Sequence, residues 1–181
     1  MNKTIVVYQS KYGSTKKYAE WISEELSCDL FERKNITPNQ LEYYETIIYG
    51  GGLYAGGVSG IKLITKSFEQ LKNKDIIIFT CGLADPKDEI NVKGIREGLN
   101  KVLPEEIKDT IKIFHLRGAI DYSKLGIVHK YMMSMLYKMT LKKNYESLRE
   151  EEKEMIDTYG KVVNFMDKET INPIVLYAKN L

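Results

Sequence analysis

Residues Thr4–Thr15 read TIVVYQSKYGST. The first five form an unbroken run rich in β-branched and aromatic side chains. Continuous rather than alternating hydrophobicity suits a strand buried on both faces, as in a parallel sheet covered by helices. The loop that follows holds Ser10, Lys11, Tyr12, Gly13, Ser14 and Thr15 and passes directly into a helical pattern over Thr15–Leu26, where Tyr18, Trp21, Ile22 and Leu26 recur at i, i+3 and i+4. Hydroxyls and backbone N–H groups at a helix N-terminus can hold a phosphate, because the helix dipole and the unpaired donors supply the field. Ser14 or Thr15 as an ordinary N-cap accounts for the same residues, and the spacing leaves both readings open. The loop has neither the Gly-Lys-Ser/Thr ending of a P-loop nor a GxGxxG pattern.

Four further segments repeat the strand pattern: TIIYG (Thr46 to Gly50), DIIIFT (Asp75 to Thr80), IKIFHL (Ile111 to Leu116) and the weaker CDLFER (Cys28 to Arg33), which suits an edge. Helical patterns lie between and after them, over Ile61–Leu71, Val92–Lys101 and Leu148–Asp167. The alternation predicts an α/β fold with a doubly wound, five-stranded parallel sheet. The length of 181 residues fits a single domain. Sites in such sheets gather at the carboxyl ends of the strands. Besides the first loop, two more are expected there. GGGLYAGGVSG (Gly50 to Gly60) has a glycine density that lets backbone approach a flat ligand, with Leu53 and Tyr54 to pack on its face; a merely flexible loop is the alternative. Thr80-Cys81-Gly82-Leu83-Ala84-Asp85-Pro86 is the other.

The balance of 27 Lys and Arg against 25 Asp and Glu gives a net charge of +2 and no global preference for nucleic acid. Locally it is uneven: Arg117–Lys143 is basic and Glu146–Asp157 acidic. Cys28 and Cys81 lie far apart without a CxxC pair, so no zinc site or disulfide framework is indicated, and a reducing cytoplasm is the expected location. Neither a signal peptide nor a membrane-spanning run of about 20 apolar residues is recognisable. Within the basic block, YSKLGIVHKYMMSMLYKMTLKK (Tyr122 to Lys143) concentrates four of the seven methionines. Leu125, Val128, Met132, Met135, Leu136 and Met139 share helical spacing, which predicts packing on the domain itself. Methionines flanked by Lys130, Lys138, Lys142 and Lys143 also suit a helix at an anionic membrane surface.

TIVVYQSKYGST resembles the strand and phosphate loop of the flavodoxin-fold family, [Ser/Thr]-x-x-Gly-x-Thr, here Ser10, Gly13 and Thr15. The resemblance implies FMN as cofactor, with its phosphate on residues Ser10, Lys11, Tyr12, Gly13, Ser14 and Thr15. Its ring would lie between Gly52, Leu53, Tyr54, Ala55 and Gly56 on one side and Thr80, Cys81, Gly82 and Leu83 on the other. A flavin carries electron transfer itself, so no catalytic or metal-binding side chain is assigned.

The segment from about 119 to 147, with Gly118-Ala119-Ile120-x-Tyr122 and Lys138-Met139-Thr140, resembles a helical insertion after the fifth strand in bacterial flavodoxin-fold protoporphyrinogen IX dehydrogenases. That likeness implies electron transfer from a porphyrinogen to a quinone such as menaquinone. It also implies peripheral association with the inner face of the cell membrane, here through residues 124–143. Where that group has a basic residue before Tyr-Gly, this chain has Tyr54-Ala55-Gly56. The alternative is a flavodoxin-type electron carrier that docks to redox proteins; an acidic surface would favour it, and the basic insertion does not. His115 reads as a structural histidine, His129 as exposed or interfacial, Cys81 as a small buried residue beside the ring, and Asp121 and Tyr122 as turn or substrate-contacting residues.

Overall fold

Ile5, Val6 and Val7 are completely buried in the computed structural model, which describes residues 3–54, 56–108 and 110–181. Burial of consecutive residues requires cover on both faces, and the architecture supplies it. Along the chain run β1 (Thr4–Gln9), α1 (Ser14–Leu26), β2 (Asp29–Glu32), α2 (Pro38–Leu41), β3 (Thr46–Tyr54) and β4 (Gly57–Val58). Then come α3 (Lys62–Lys66), α4 (Phe68–Leu71), β5 (Asp75–Gly82), α5 (Glu89–Asn100), α6 (Glu105–Lys108) and β6 (Lys112–Arg117). The C-terminal third holds β7 (Ala119–Asp121), α7 (Ile127–Leu141), α8 (Glu150–Thr158), β8 (Val162–Asn164) and α9 (Asn172–Lys179).

Five strands of the sheet are parallel, in the order β2-β1-β3-β5-β6, and the two-residue β4 adds an antiparallel pairing to the end of β3. β2, the weakest pattern in the sequence, lies at an edge. Because successive residues of a strand point to opposite faces, Ile5, Val7, Ile47, Tyr49, Ile76 and Ile78 pack with Leu63, Ile64, Leu71 and Leu99 on one side. Val6, Ile48, Ile77 and Phe79 pack with Tyr18 and Ile22 of α1 and Ile174 of α9 on the other. Burying each such side chain contributes about 1.5–3 kcal/mol.

Three expectations need correction. The glycines after Ile48 are not a loop: Gly50, Gly51 and Gly52 continue β3 and pair with Phe79, Thr80 and Cys81. Each is crowded by a different neighbour: a Cβ on Gly50 would lie 2.1 Å from the Phe79 ring of β5, one on Gly51 2.3 Å from Val58, and one on Gly52 2.8 Å from the Tyr54 ring. The helical pattern over Ile61–Leu71 is broken at the buried Ser67 into two short helices. The last helix does not run from Leu148 to Asp167. α8 stops at Thr158, Gly160 takes φ +81°, and Val162–Asn164 pair antiparallel with β7. The terminal helix is α9, with Pro173 in its first turn, where a missing N–H costs nothing. Among the described residues, no helix is long and apolar enough to cross a membrane.

Candidate flavin-binding cleft

β1 ends at Gln9, and the chain reaches α1 through a turn that depends on Gly13, whose φ of +100° is readily adopted only without a side chain. The Gly13 N–H donates to Ser10 Oγ at 3.1 Å. Gly13, not Ser14 or Thr15, occupies the N-cap position, so α1 begins without a side-chain cap and without an acid in its first turn. The first N–H groups of any helix lack intrahelical partners; here a thirteen-residue helix presents them uncapped. The Ser14 hydroxyl instead accepts from the Ala119 N–H at 3.0 Å, tying this loop to the β6–β7 turn. In both serines the oxygen is used as an acceptor, which leaves the O–H proton to donate.

The second wall is the end of β3, Leu53 and Tyr54, and the third is Cys81, Gly82 and Leu83 after β5. Gly118 closes the floor: a Cβ there would lie 3.0 Å from Cys81 Sγ and 3.2 Å from Ser14 Cβ. Arg117 holds the third wall in place. Its Nε donates to the Leu83 carbonyl at 2.9 Å, its guanidinium pairs with Glu154 of α8 and lies 3.5 Å from Asp85, and its carbon sits 3.7 Å above the Phe165 ring.

The helical segment after β7 covers this cleft. Leu125, His129, Met132 and Met133 line it together with the three walls. The Tyr12 hydroxyl accepts from the Gly126 N–H at 3.2 Å and lies 2.8 Å from His129 Nδ1. The His129 ring stacks on Tyr54 with centroids 5.0 Å apart and planes 16° apart. Further along α7, Tyr137 stacks on Tyr159 at 4.0 Å.

A family model described as "Flavodoxin domain" matches residues 5–147, a span that takes in all three walls and α7. The chain belongs to this flavodoxin-domain family. It is 31% identical over 81 residues to an uncharacterised protein of Methanocaldococcus jannaschii, across 43% of this chain and 53% of that one, so it spans about half the length of this relative. Similar solved structures include a Fusobacterium nucleatum flavodoxin bound to flavin mononucleotide, with 17% identity, coverage of 67% of this chain and 72% of that one, and a TM-score of 0.45. A WrbA-like flavodoxin protein from Agrobacterium tumefaciens has 20% identity, coverage of 64% and 83%, and a TM-score of 0.43.

Within this flavodoxin domain the residues expected from the sequence divide. Ser10, Tyr12, Ser14, Thr15, Leu53, Tyr54, Cys81, Gly82 and Leu83 come together in the cleft. Lys11 faces a neighbouring cleft. Gly13 shapes the turn, Gly52 is buried in β3 and Gly56 is exposed at a φ of +77°. Thr80 is completely buried with its hydroxyl 2.8 Å from His115 Nδ1, so it supports the wall from behind. Ala55 lies outside the described residues.

The titratable groups have settled roles. Burial pushes the Cys81 thiol up to about 12, which leaves it protonated as a small apolar floor residue. Burial, with a smaller contribution from Arg96, lowers His115 to about 4, in keeping with a neutral structural imidazole. The Asp121 carboxylate lies below its usual range because Ser123 and Lys124 hydrogen-bond to it; it caps the turn before α7. His129, read from the sequence as exposed or interfacial, is half-buried and lines the cleft. A signal was available, since His129, Met132 and Met133 share one helix face, but the stripe through Val128, Met135 and Met139 masked it. Arg117 was visible only as part of a basic block. Among the described residues, no cluster of His, Cys, Asp and Glu could hold a metal ion.

Proposed function

We propose that this cleft binds FMN and that the protein is an FMN-dependent oxidoreductase, taking electrons from a hydrophobic reductant of porphyrinogen type and passing them to a quinone. The residues present fit the cofactor. The uncapped N-terminus of α1, with the Ser10 and Ser14 hydroxyls free to donate and Thr15 buried behind them, is a donor set for a dianionic phosphate. Leu53 and Tyr54 on one side and Cys81 to Leu83 on the other provide apolar walls for a flat ring. FMN supplies one- and two-electron transfer when bound. The chain's own residues position it, limit water and choose what reaches it.

One observation carries the enzymatic reading over that of a simple carrier. α7 has two apolar faces. His129, Met132 and Met133 cover the cleft, while Ile127, Val128, Tyr131 and Met139 stand 89%, 68%, 71% and 57% exposed. The stripe expected to pack on the domain is therefore divided: Leu125 and Met132 point inward, and Val128, Met135, Leu136 and Met139 point out. An apolar surface leading to an apolar cleft suits a water-insoluble reactant. Lys124, Lys130, Lys138 and Lys142 beside it suit an anionic bilayer, so contact of residues 124–143 with the membrane belongs to the same proposal.

Steady turnover of protoporphyrinogen with a quinone by the FMN-loaded protein is the expected result. Reduction only through a second redox protein would establish the carrier instead. Co-sedimentation with anionic vesicles, lost when Val128, Tyr131 and Met139 are replaced by serine, tests the membrane contact; unchanged co-sedimentation of that variant would remove it.

A further inference from the structure

The Tyr54–His129 pair has a second side. There a cleft of about 700 Å³ opens between the carboxyl ends of β1 and β2 and the start of α3. Four cations reach it from three elements: Lys11 from the β1–α1 loop, Arg33 and Lys34 from the turn after β2, and Lys62 from the first turn of α3. Of the described residues that line it, Glu32 is the one carboxylate, and Lys34 lies 2.9 Å from it. Among the described residues, Lys11, Arg33 and Lys62 have no carboxylate within ion-pair distance, and the Arg33 guanidinium reaches only the Ile36 carbonyl, at 3.5 Å. On a chain whose net charge is only +2, this is a marked local excess. Concave walls of low dielectric strengthen such a field at the point where the cations converge.

Geometry adds a second element. Ser10, Tyr54 and His129 line both clefts, so the two adjoin at these residues. Tyr54 and His129 stack on each other with their planes 16° apart, which leaves the outer face of the pair for a ligand ring beside the basic groups. A ligand that used both would be planar at one end and anionic at the other.

We infer that the second cleft holds the carboxylate or phosphate groups of the small molecule that reacts at the first, a planar oxyanion whose ring packs at the Tyr54–His129 wall. This rests on the FMN reading of the first cleft and extends it to the class of the reactant. Lys11, Arg33 and Lys62 neutralise the anionic groups, and the pairing of Lys34 with Glu32 keeps the rim from holding a fourth unpaired cation. The recognition is electrostatic and weakens with salt.

The test measures equilibrium binding to the FMN-loaded protein and to Arg33→Gln/Lys62→Gln, neither residue being part of the FMN cleft. The probes are protoporphyrin IX, its dimethyl ester, NADPH and inorganic phosphate. The double variant should keep its FMN affinity and melting temperature and bind the anionic probe about tenfold more weakly. Carboxylate recognition shows as protoporphyrin IX binding more tightly than its uncharged ester. Phosphate recognition shows as NADPH binding that inorganic phosphate displaces. Equal affinity of parent and double variant for both anionic probes, or binding of neither, would overturn the inference. If the protein took up no FMN, binding of the probes to the unloaded protein would still report on the second cleft, so the two readings fail separately.

Discussion

Replacing Tyr12 with Phe removes one oxygen and leaves the ring, its edge contacts with Tyr54 at 6.1 Å and His129 at 5.5 Å included. That oxygen joins the first loop to α7 through Gly126 at 3.2 Å and His129 at 2.8 Å. A hydrogen bond of this kind contributes about 0.5–1.5 kcal/mol net. Water can replace Tyr12 at the exposed Gly126 N–H more easily than at the partly buried His129 ring, so the pair should contribute about 1–2 kcal/mol to docking the start of α7. Since 1.4 kcal/mol is a factor of ten, amide exchange over residues 126–133 should become about five- to thirtyfold faster in Tyr12→Phe. Amides of β1 and β5 report global stability and should change little. Exchange in 126–133 within about twofold of the parent, where hydrogen-bond loss predicts more, would refute the idea that Tyr12 latches α7.

Other outcomes follow from the same structure. Ser14→Ala leaves the Ala119 N–H without its acceptor, at a cost of about 1–2 kcal/mol, and should lower the melting temperature by roughly 2–8 °C in a chain of this size; an unchanged melting curve would mean that water replaces the hydroxyl freely. Gly50→Ala places a Cβ 2.1 Å from the Phe79 ring and should destabilise by about 1–3 kcal/mol or more, with partial rescue by Phe79→Leu; a neutral Gly50→Ala would argue against β3 continuing past Tyr49. His115 binds its proton near 6.5 when unfolded and only near 4 when folded. The unfolded state therefore takes up more protons, and stability should be full above about 6.5 and fall as pH drops towards 4. Denaturant titrations across that window should show a shallower slope in His115→Asn, and an identical slope would remove His115 as a cause. Cys81 should resist thiol reagents at pH 8 until the protein unfolds, because burial holds the thiol at about 12.

The strands were legible because their signal is local: Ile5–Tyr8, Ile47–Tyr49 and Ile76–Phe79 are unbroken apolar runs, and only burial on both faces accommodates them. The first loop was legible for the same reason, since Ser10 to Thr15 sit beside one another in sequence. What escaped depends on partners distant along the chain. Gly50–Gly52 look like a flexible loop until the Phe79 ring fills the space above Gly50. Val162 and Val163 fit a helical count with Met155, Tyr159 and Met166, and only pairing with Asp121 and Ile120, about forty residues earlier, makes them a strand. His129 meets Tyr12 across 117 positions. On α7 the apolar residues are too many for one face, so periodicity cannot tell which side meets the cleft.

The most direct test of the account titrates the unloaded protein with FMN and with riboflavin, which lacks the phosphate, following flavin fluorescence. Charge-assisted hydrogen bonds contribute about 1.5–3 kcal/mol each, so the donors at the start of α1 should hold FMN at least about a hundredfold more tightly than riboflavin, with one flavin per chain. Equal affinity for the two, or uptake of neither, would contradict the assignment of this cleft as a flavin site anchored at Ser10 to Thr15.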